Sequence, residues 1–252
     1  MKATIYILVA GVTIPCVLRY PETIRFFPKK YITSECYTSN PVTLSDMEWD
    51  YYISSGLVEG PQTEFSVFSA SFSDTLMSYD RMIVHAVAIR WNDQAYLITA
   101  PSGIGKSTQA KYLQKLRPNE FGIICGDRPI LEFKKLTTIF DESSSIKQVP
   151  VKKEIIVHPS PWNGKENWYG AEAAPLAGII MLKRGTMNRV CLLEPKEAAL
   201  SFFPQIIQSG IRPELIKKSA SLETELLYSV PIWELTTNQV PDSTIKLLDA
   251  VF

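Results

Sequence analysis

From Ala100 to Thr108 the chain reads "APSGIGKST", a run whose residue types and spacing suit phosphate chemistry. It matches the Walker A pattern GxxxxGK[ST], with Ala100 in the first, small position and Gly105, Lys106 and Ser107 closing it. Gly103 and Gly105 allow backbone angles that turn several N–H groups toward one point. Such a nest binds phosphate oxygens, helped by the positive end of a following helix. Lys106 then reaches the β- and γ-phosphates, and the Ser107 hydroxyl takes a Mg²⁺ position. Ser102, Gly103, Ile104, Gly105, Lys106, Ser107 and Thr108 are therefore the expected ATP-binding set. Mg²⁺ needs a second hard oxygen, normally an acid at the end of a neighbouring strand. Asp127, which ends "FGIICGD" (121–127), is the candidate; the alternative is an Asp that opens a turn before Arg128-Pro129.

These groups must be positioned by flanking elements, and the sequence supplies them. The stretches 81–91 and 95–100 read as adjacent strands joined by a tight turn, and Ser107 to Leu116 as a helix with Ala110, Leu113 and Leu116 on one face. Further strands are expected at 121–127, 153–158, 177–185 and 189–194. Pro195 suits a first helical position with Gly210 as the stop, a second helix spans Pro213 to Ser229, and "PIWELTT" returns as a strand. Asp242 or Ser243 is the expected N-cap of a closing helix.

Residues 1–75 read as β-rich and loop-rich, with turn patches at "RYPET", "FFPKK" and "VEGPQ" and a hairpin or bent strand about Gly11. The opening "MKATIYILVAGVTIPC" has the outline of a leader, but Pro15 before Cys16 and a weak basic start favour a strand. The class is α/β, with a β-rich N-terminal portion folded onto an α/β core.

Composition narrows the partners. The 26 basic residues balance 26 acidic ones and are spread along the chain, which argues against nucleic-acid phosphates or acidic lipid as the main partner. No run is long enough to cross a bilayer. Cys16, Cys36, Cys125 and Cys191 lie far apart with no CxxC pair, so neither a zinc site nor a disulfide framework is expected. The expected compartment is reducing and cytoplasmic.

With the motif in place, "VHAVAIRWNDQAYLITAPSGIGKSTQAKYL" followed by "IICGDRPIL" resembles the catalytic domain of HPr kinase/phosphorylase. It looks closer still to the shorter HPr-kinase-like proteins, some of which sit among peptide natural-product genes. The likeness rests on His85 shortly before the loop, the loop itself, and an Asp-bearing strand end about twenty residues later. "PSPWNGKENW" (159–168) and "PLAGIIMLKRG" (175–185) add to it. It implies a phosphoenolpyruvate carboxykinase-type P-loop core with C-terminal helices over residues 79–252, and an N-terminal portion over 1–78.

The implied activity is ATP-dependent phosphorylation of a serine hydroxyl on a peptide or small protein. The resemblance gives His85 a role beside the γ-phosphate and Asp127 a metal or proton-accepting role. The family usually carries two acids at that strand end; here the pair is Gly126-Asp127. Trp162 and Lys165 become candidate substrate contacts. Each has a plainer alternative: a buried structural histidine, a packed indole, a solvated loop lysine. His158 is a weaker candidate, and Lys183 and Arg184 read as surface charges. A nucleotide-sensing partner protein and a small-molecule kinase stay open as alternative functions, as does a homo-oligomer.

Overall fold

The computed structural model describes residues 2–34, 40–135, 153–166, 168, 170, 172–210, 212–238 and 240–252. Cys36, and Asn167 of the 159–168 segment, lie outside the described residues. The chain is mixed α/β, built on two sheets.

The smaller sheet forms around the hairpin Ala3–Val9 and Val12–Leu18, flanked by Ile32–Thr33 and Val42–Thr43. Its turn places Ala10 at φ 46 and Gly11 at φ 74, the left-handed pair that a two-residue hairpin needs. The remainder of residues 1–75 departs from the expected β-rich reading. Asp46–Ser54 is a helix opened by a capping box between Ser45 and Glu48, and Pro61–Met77 is a 17-residue helix.

The long helix was hidden by its composition. "PQTEFSVFSASFSDTLM" is rich in Ser and Phe, which are indifferent helix formers, so tertiary contacts decide its state. Phe68 and Phe72 are fully buried, and the serines act as cross-links. Ser71 Oγ donates to Glu48 Oε1 at 2.9 Å, and Ser73 Oγ accepts from the Ile83 amide at 3.2 Å. Glu64 is fully buried but satisfied, accepting from the Arg19 and Tyr20 amides and the Thr23 hydroxyl.

The larger sheet has ten strands among the described residues. One path runs Ile206–Ile207, Arg81–Val84, Ile130–Lys135, Lys153–His158, Ala174–Arg184, Gln94–Thr99, Ala86–Trp91, Phe121–Cys125. Ile232–Thr237 adds beside Ala174–Arg184 and carries Arg189–Leu193 on its other edge. Within this sheet Gln94–Thr99, Ala174–Arg184 and Ile232–Thr237 run parallel, so their carboxyl ends share one edge. That edge is where open α/β sheets bind ligands. Met181 pairs with Thr99, so Leu182, Lys183 and Arg184 overhang the end of Gln94–Thr99 and flank the loop that follows it.

The expected strand over 81–91 is interrupted at His85. Arg81–Val84 pairs with Ile130–Lys135, whereas Ala86–Trp91 pairs with Gln94–Thr99 and Phe121–Cys125. The expected turn after it is present, with Asn92 at φ 46 and Asp93 at φ 61. The helix at Pro195 ends at Phe202 rather than Gly210, because Pro204 cannot supply the next amide. The last helix is Val240–Val251, starting ahead of Asp242 and Ser243. No helix among the described residues is long and apolar enough to cross a membrane.

Candidate functional site

Strand Gln94–Thr99 delivers the chain into the loop, and helix Lys106–Leu116 leaves it. Gly103 sits at φ +79 and Gly105 at φ +123, with open space where a Cβ would stand. Both positions are therefore glycine for backbone angle and not for room. Gly105 caps the helix with no side-chain hydrogen bond and no acid in the first turn, so first-turn amides are left for an anion. Ser102 and Thr108 are exposed, while Ile104 and Ser107 are half-buried.

Lys106 is buried and turns back on its own loop. Its Nζ donates to Ala100 O at 2.8 Å and approaches Pro101 O at 3.4 Å. Burial pushes its pKa down to about 8, against the pull of the Asp127 charge. The ammonium thus rests on neutral carbonyls, partners that a phosphate would outbid.

The interruption at His85 aims its ring at the strand end that carries Asp127. The His85 amide donates to Gln205 O at 2.7 Å, and its carbonyl accepts from Thr99 Oγ1 at 2.9 Å. The Ala86 amide donates to Asp127 O at 2.9 Å, which ties the two strands together at this point. His85 Nε2 lies 3.5 Å from Asp127 Oδ1, and Nδ1 lies 3.3 Å from Gln205 Oε1. Burial, then the Lys106 charge, lower the imidazole pKa, while Asp127 acts in the opposite direction. The neutral ring is favoured near pH 7, and it has one N–H to offer. On the other side of Asp127, Arg128 Nε is 3.3 Å from Oδ2 but is not aligned for a hydrogen bond. Arg128 is anchored elsewhere, with Nη1 donating to Ser66 O at 2.6 Å.

Lys106, His85 and Asp127 thus come together beside the loop. Asp127 and the Ser107 hydroxyl are hard oxygen donors of the kind Mg²⁺ takes alongside nucleotide phosphates and water. No cluster of three or more His, Cys, Asp or Glu side chains that could hold a metal occurs among the described residues.

Two expectations are corrected. Trp162 offers no face to a nucleobase: it is buried, stacked on Phe65 and packed against Phe27 and Phe72, with its indole N–H donating to Phe65 O at 2.7 Å. Arg184 is more than a surface charge, since its Nη2 donates to Gly103 O at 2.9 Å. Lys165 is exposed on a loop that passes against the site, where a Cβ on Gly164 would stand 3.0 Å from Asp127 Cβ. Lys111 Nζ donates to Glu166 at 2.7 Å and ties that loop to helix Lys106–Leu116.

At Gly126 the space for a side chain is occupied. A Cβ there would lie 2.5 Å from the Asn163 carbonyl oxygen and 3.3 Å from the Trp168 ring. His158 belongs to a separate cluster, with Nε2 2.8 Å from Glu132 Oε2.

Sequence reasoning missed Gln205 and Arg128 as neighbours of the site. Gln205 lies in "FFPQII", where nothing local marks it; only the pairing of Ile206–Ile207 with Arg81–Val84 brings it to His85. A cleft of about 620 Å³ opens beside the loop, lined in part by Pro101, Ile104, Arg184, Glu197, Gln205 and Glu234. That volume lies within the usual range for small-ligand sites.

No family model matches the chain, and no curated protein matches it. Among solved structures, the HPr(Ser) kinase/phosphatase from Coxiella burnetii is similar over 66% of this chain and 93% of that chain, at 10% identity and a TM-score of 0.33. A similarity at that level carries no inference about activity.

Proposed function

We propose that the chain is an ATP-dependent kinase that transfers the γ-phosphate to a serine hydroxyl of a peptide or small protein, a tailoring kinase for a peptide natural product being one such role. The observation that carries this reading is the buried Lys106, resting on the carbonyls of a glycine-nested loop, with Asp127 and His85 converging beside it. Phosphoryl transfer through a loose transition state needs positioning and charge neutralisation more than a strong base. Lys106, the loop amides and the N-terminus of Lys106–Leu116 would neutralise the phosphates. Asp127 and Ser107 would hold Mg²⁺, which supplies charge neutralisation on the β- and γ-oxygens. Asp127 would also accept the hydroxyl proton, and the neutral His85 ring would orient its carboxylate.

The test is incubation of the full chain with Mg-ATP and a library of serine-containing peptides, read by mass spectrometry. Lys106→Ala is expected to lose transfer by about a hundredfold or more while folding normally. Unchanged transfer in that variant would sink the reading.

A second reading, a nucleotide-sensing partner protein, is favoured by Gly126. The place where a second acid would stand is filled by the Asn163 carbonyl. ATP binding that depends on Lys106, with no phosphopeptide from any acceptor, would select this reading. Gly126→Asp is a poor discriminator, because its side chain would collide with backbone.

A further inference from the structure

Arg184 ends a strand, overhangs the loop, and spends its guanidinium on a backbone carbonyl. We propose that it is a positioning residue of the phosphate loop, holding the Gly103–Ile104 peptide so that the Ile104 N–H faces the β-phosphate of a nucleoside di- or triphosphate. This rests on the nucleotide reading given above.

The geometry begins with strand register. Because Met181 lies opposite Thr99, the last three residues of Ala174–Arg184 extend alongside the loop. Successive side chains alternate in direction along a strand. Lys183 accordingly goes to Glu234, with Nζ 3.7 Å from Oε2, while Arg184 turns to Gly103 O at 2.9 Å.

In a trans peptide the carbonyl of one residue and the N–H of the next point in opposite directions. Anchoring Gly103 O therefore fixes the Ile104 N–H on the face of the loop turned away from Arg184. That N–H makes a long hydrogen bond within the loop, to Pro101 O at 3.5 Å, which a phosphate oxygen would replace with a shorter, charge-assisted one. Gly103 at φ +79 has no Cβ to resist rotation of this peptide, so an external anchor has something to do. Lys106 differs: it rests on Ala100 O and Pro101 O here, and would leave them for the phosphates. Arg184 thus holds the Gly103 carbonyl, and the amide side is left for phosphate.

The test is titration calorimetry of Mg-ATP and Mg-ADP into the full chain and into Arg184→Ala, Arg184→Lys, Lys183→Ala and Lys106→Ala, with melting temperatures alongside. Arg184→Ala is expected to weaken both nucleotides about tenfold, the worth of one charge-assisted hydrogen bond, with melting unchanged. Arg184→Lys should recover part of that loss, and Lys183→Ala should bind as wild type does. With an acceptor in hand, the KM for ATP should rise in Arg184→Ala by more than kcat falls. Wild-type affinity in Arg184→Ala, with Lys106→Ala still defective, overturns this role alone. A parallel fall in melting temperature without recovery by Lys also overturns it, as a merely structural contact. A wild-type chain that binds no nucleotide overturns this role and the kinase reading together.

Discussion

The chain contains two histidines, and each faces a carboxylate with an arginine on its far side. Around His158 the set is tight: Nε2 to Glu132 at 2.8 Å, and Arg81 Nη2 to the other Glu132 oxygen at 2.6 Å. Arg81 also reaches back to the hairpin turn, with Nε donating to Ala10 O at 2.9 Å. Around His85 the set is slack: 3.5 Å to Asp127, and 3.3 Å from Asp127 to an Arg128 that is not aligned with it. The same three groups, an imidazole, a carboxylate and a guanidinium, make a closed cross-link in one place and an under-committed carboxylate in the other. A carboxylate with both oxygens closely paired serves as a cross-link, whereas one with loosely engaged oxygens keeps lone pairs for a further partner.

The largest expected effects come from exchanging the two carboxylates for amides. Asp127→Asn should lower transfer about a hundredfold and steepen the Mg²⁺ requirement while leaving the melting temperature in place. Glu132→Gln should do the reverse, costing about 2 kcal/mol of stability by leaving Arg81 and His158 poorly paired, with nucleotide affinity intact. An unaltered Mg²⁺ titration in Asp127→Asn would remove that residue from the site, and the contrast would collapse.

Acid should reveal the histidines next. Burial lowers the His158 pKa below its ordinary 6.5, against the opposing pull of Glu132. The unfolded chain then takes up the proton first as pH falls. This histidine's contribution is therefore fully present above about pH 6.5 and is lost below it. His158→Gln should flatten the decline in chemical-denaturation stability between about pH 7 and 5. A decline as steep as wild type would show that the tight cluster carries no acid-sensitive stability.

The smallest expected effect lies away from both sets, on helix Pro213–Ser229. Glu223 is buried, its Oε1 has no hydrogen-bond partner, and burial raises its pKa to about 7 from 4.5. A raised carboxyl value means the folded chain keeps the proton longer. The destabilisation grows from about pH 4.5 upward and is complete above about pH 7. Glu223→Gln should stabilise the chain slightly at pH 8 and leave it unchanged at pH 4, by the same denaturation measurement. Equal effects at both values would mean that the side chain is solvated.

The sequence made local elements legible where one signal dominated. The Ala10-Gly11 and Asn92-Asp93 turns, the strand before the loop and the helix after it could all be read without tertiary information. Pro61–Met77 could not, because serine and phenylalanine carry weak preferences and its serines make sense only through partners distant in sequence. Which groups stand beside the loop was less legible still. Arg184 is distinguished from Lys183 only by strand register, and Gln205 is drawn in only by a two-residue strand. The buried state of Trp162 depends on Phe27, Phe65 and Phe72, none of them near it in the chain.

The occupied space at Gly126 also has an evolutionary consequence. A carboxylate cannot be introduced there by one substitution, because the obstacle is the Asn163 main chain and not a side chain that could be trimmed. The segment carrying Asn163 would have to move first, a change with no benefit of its own while position 126 remains glycine. Position 126 is therefore closed to single-step change. Descendants of this sequence can refine what Asp127 does alone far more readily than they can add an acid beside it at position 126.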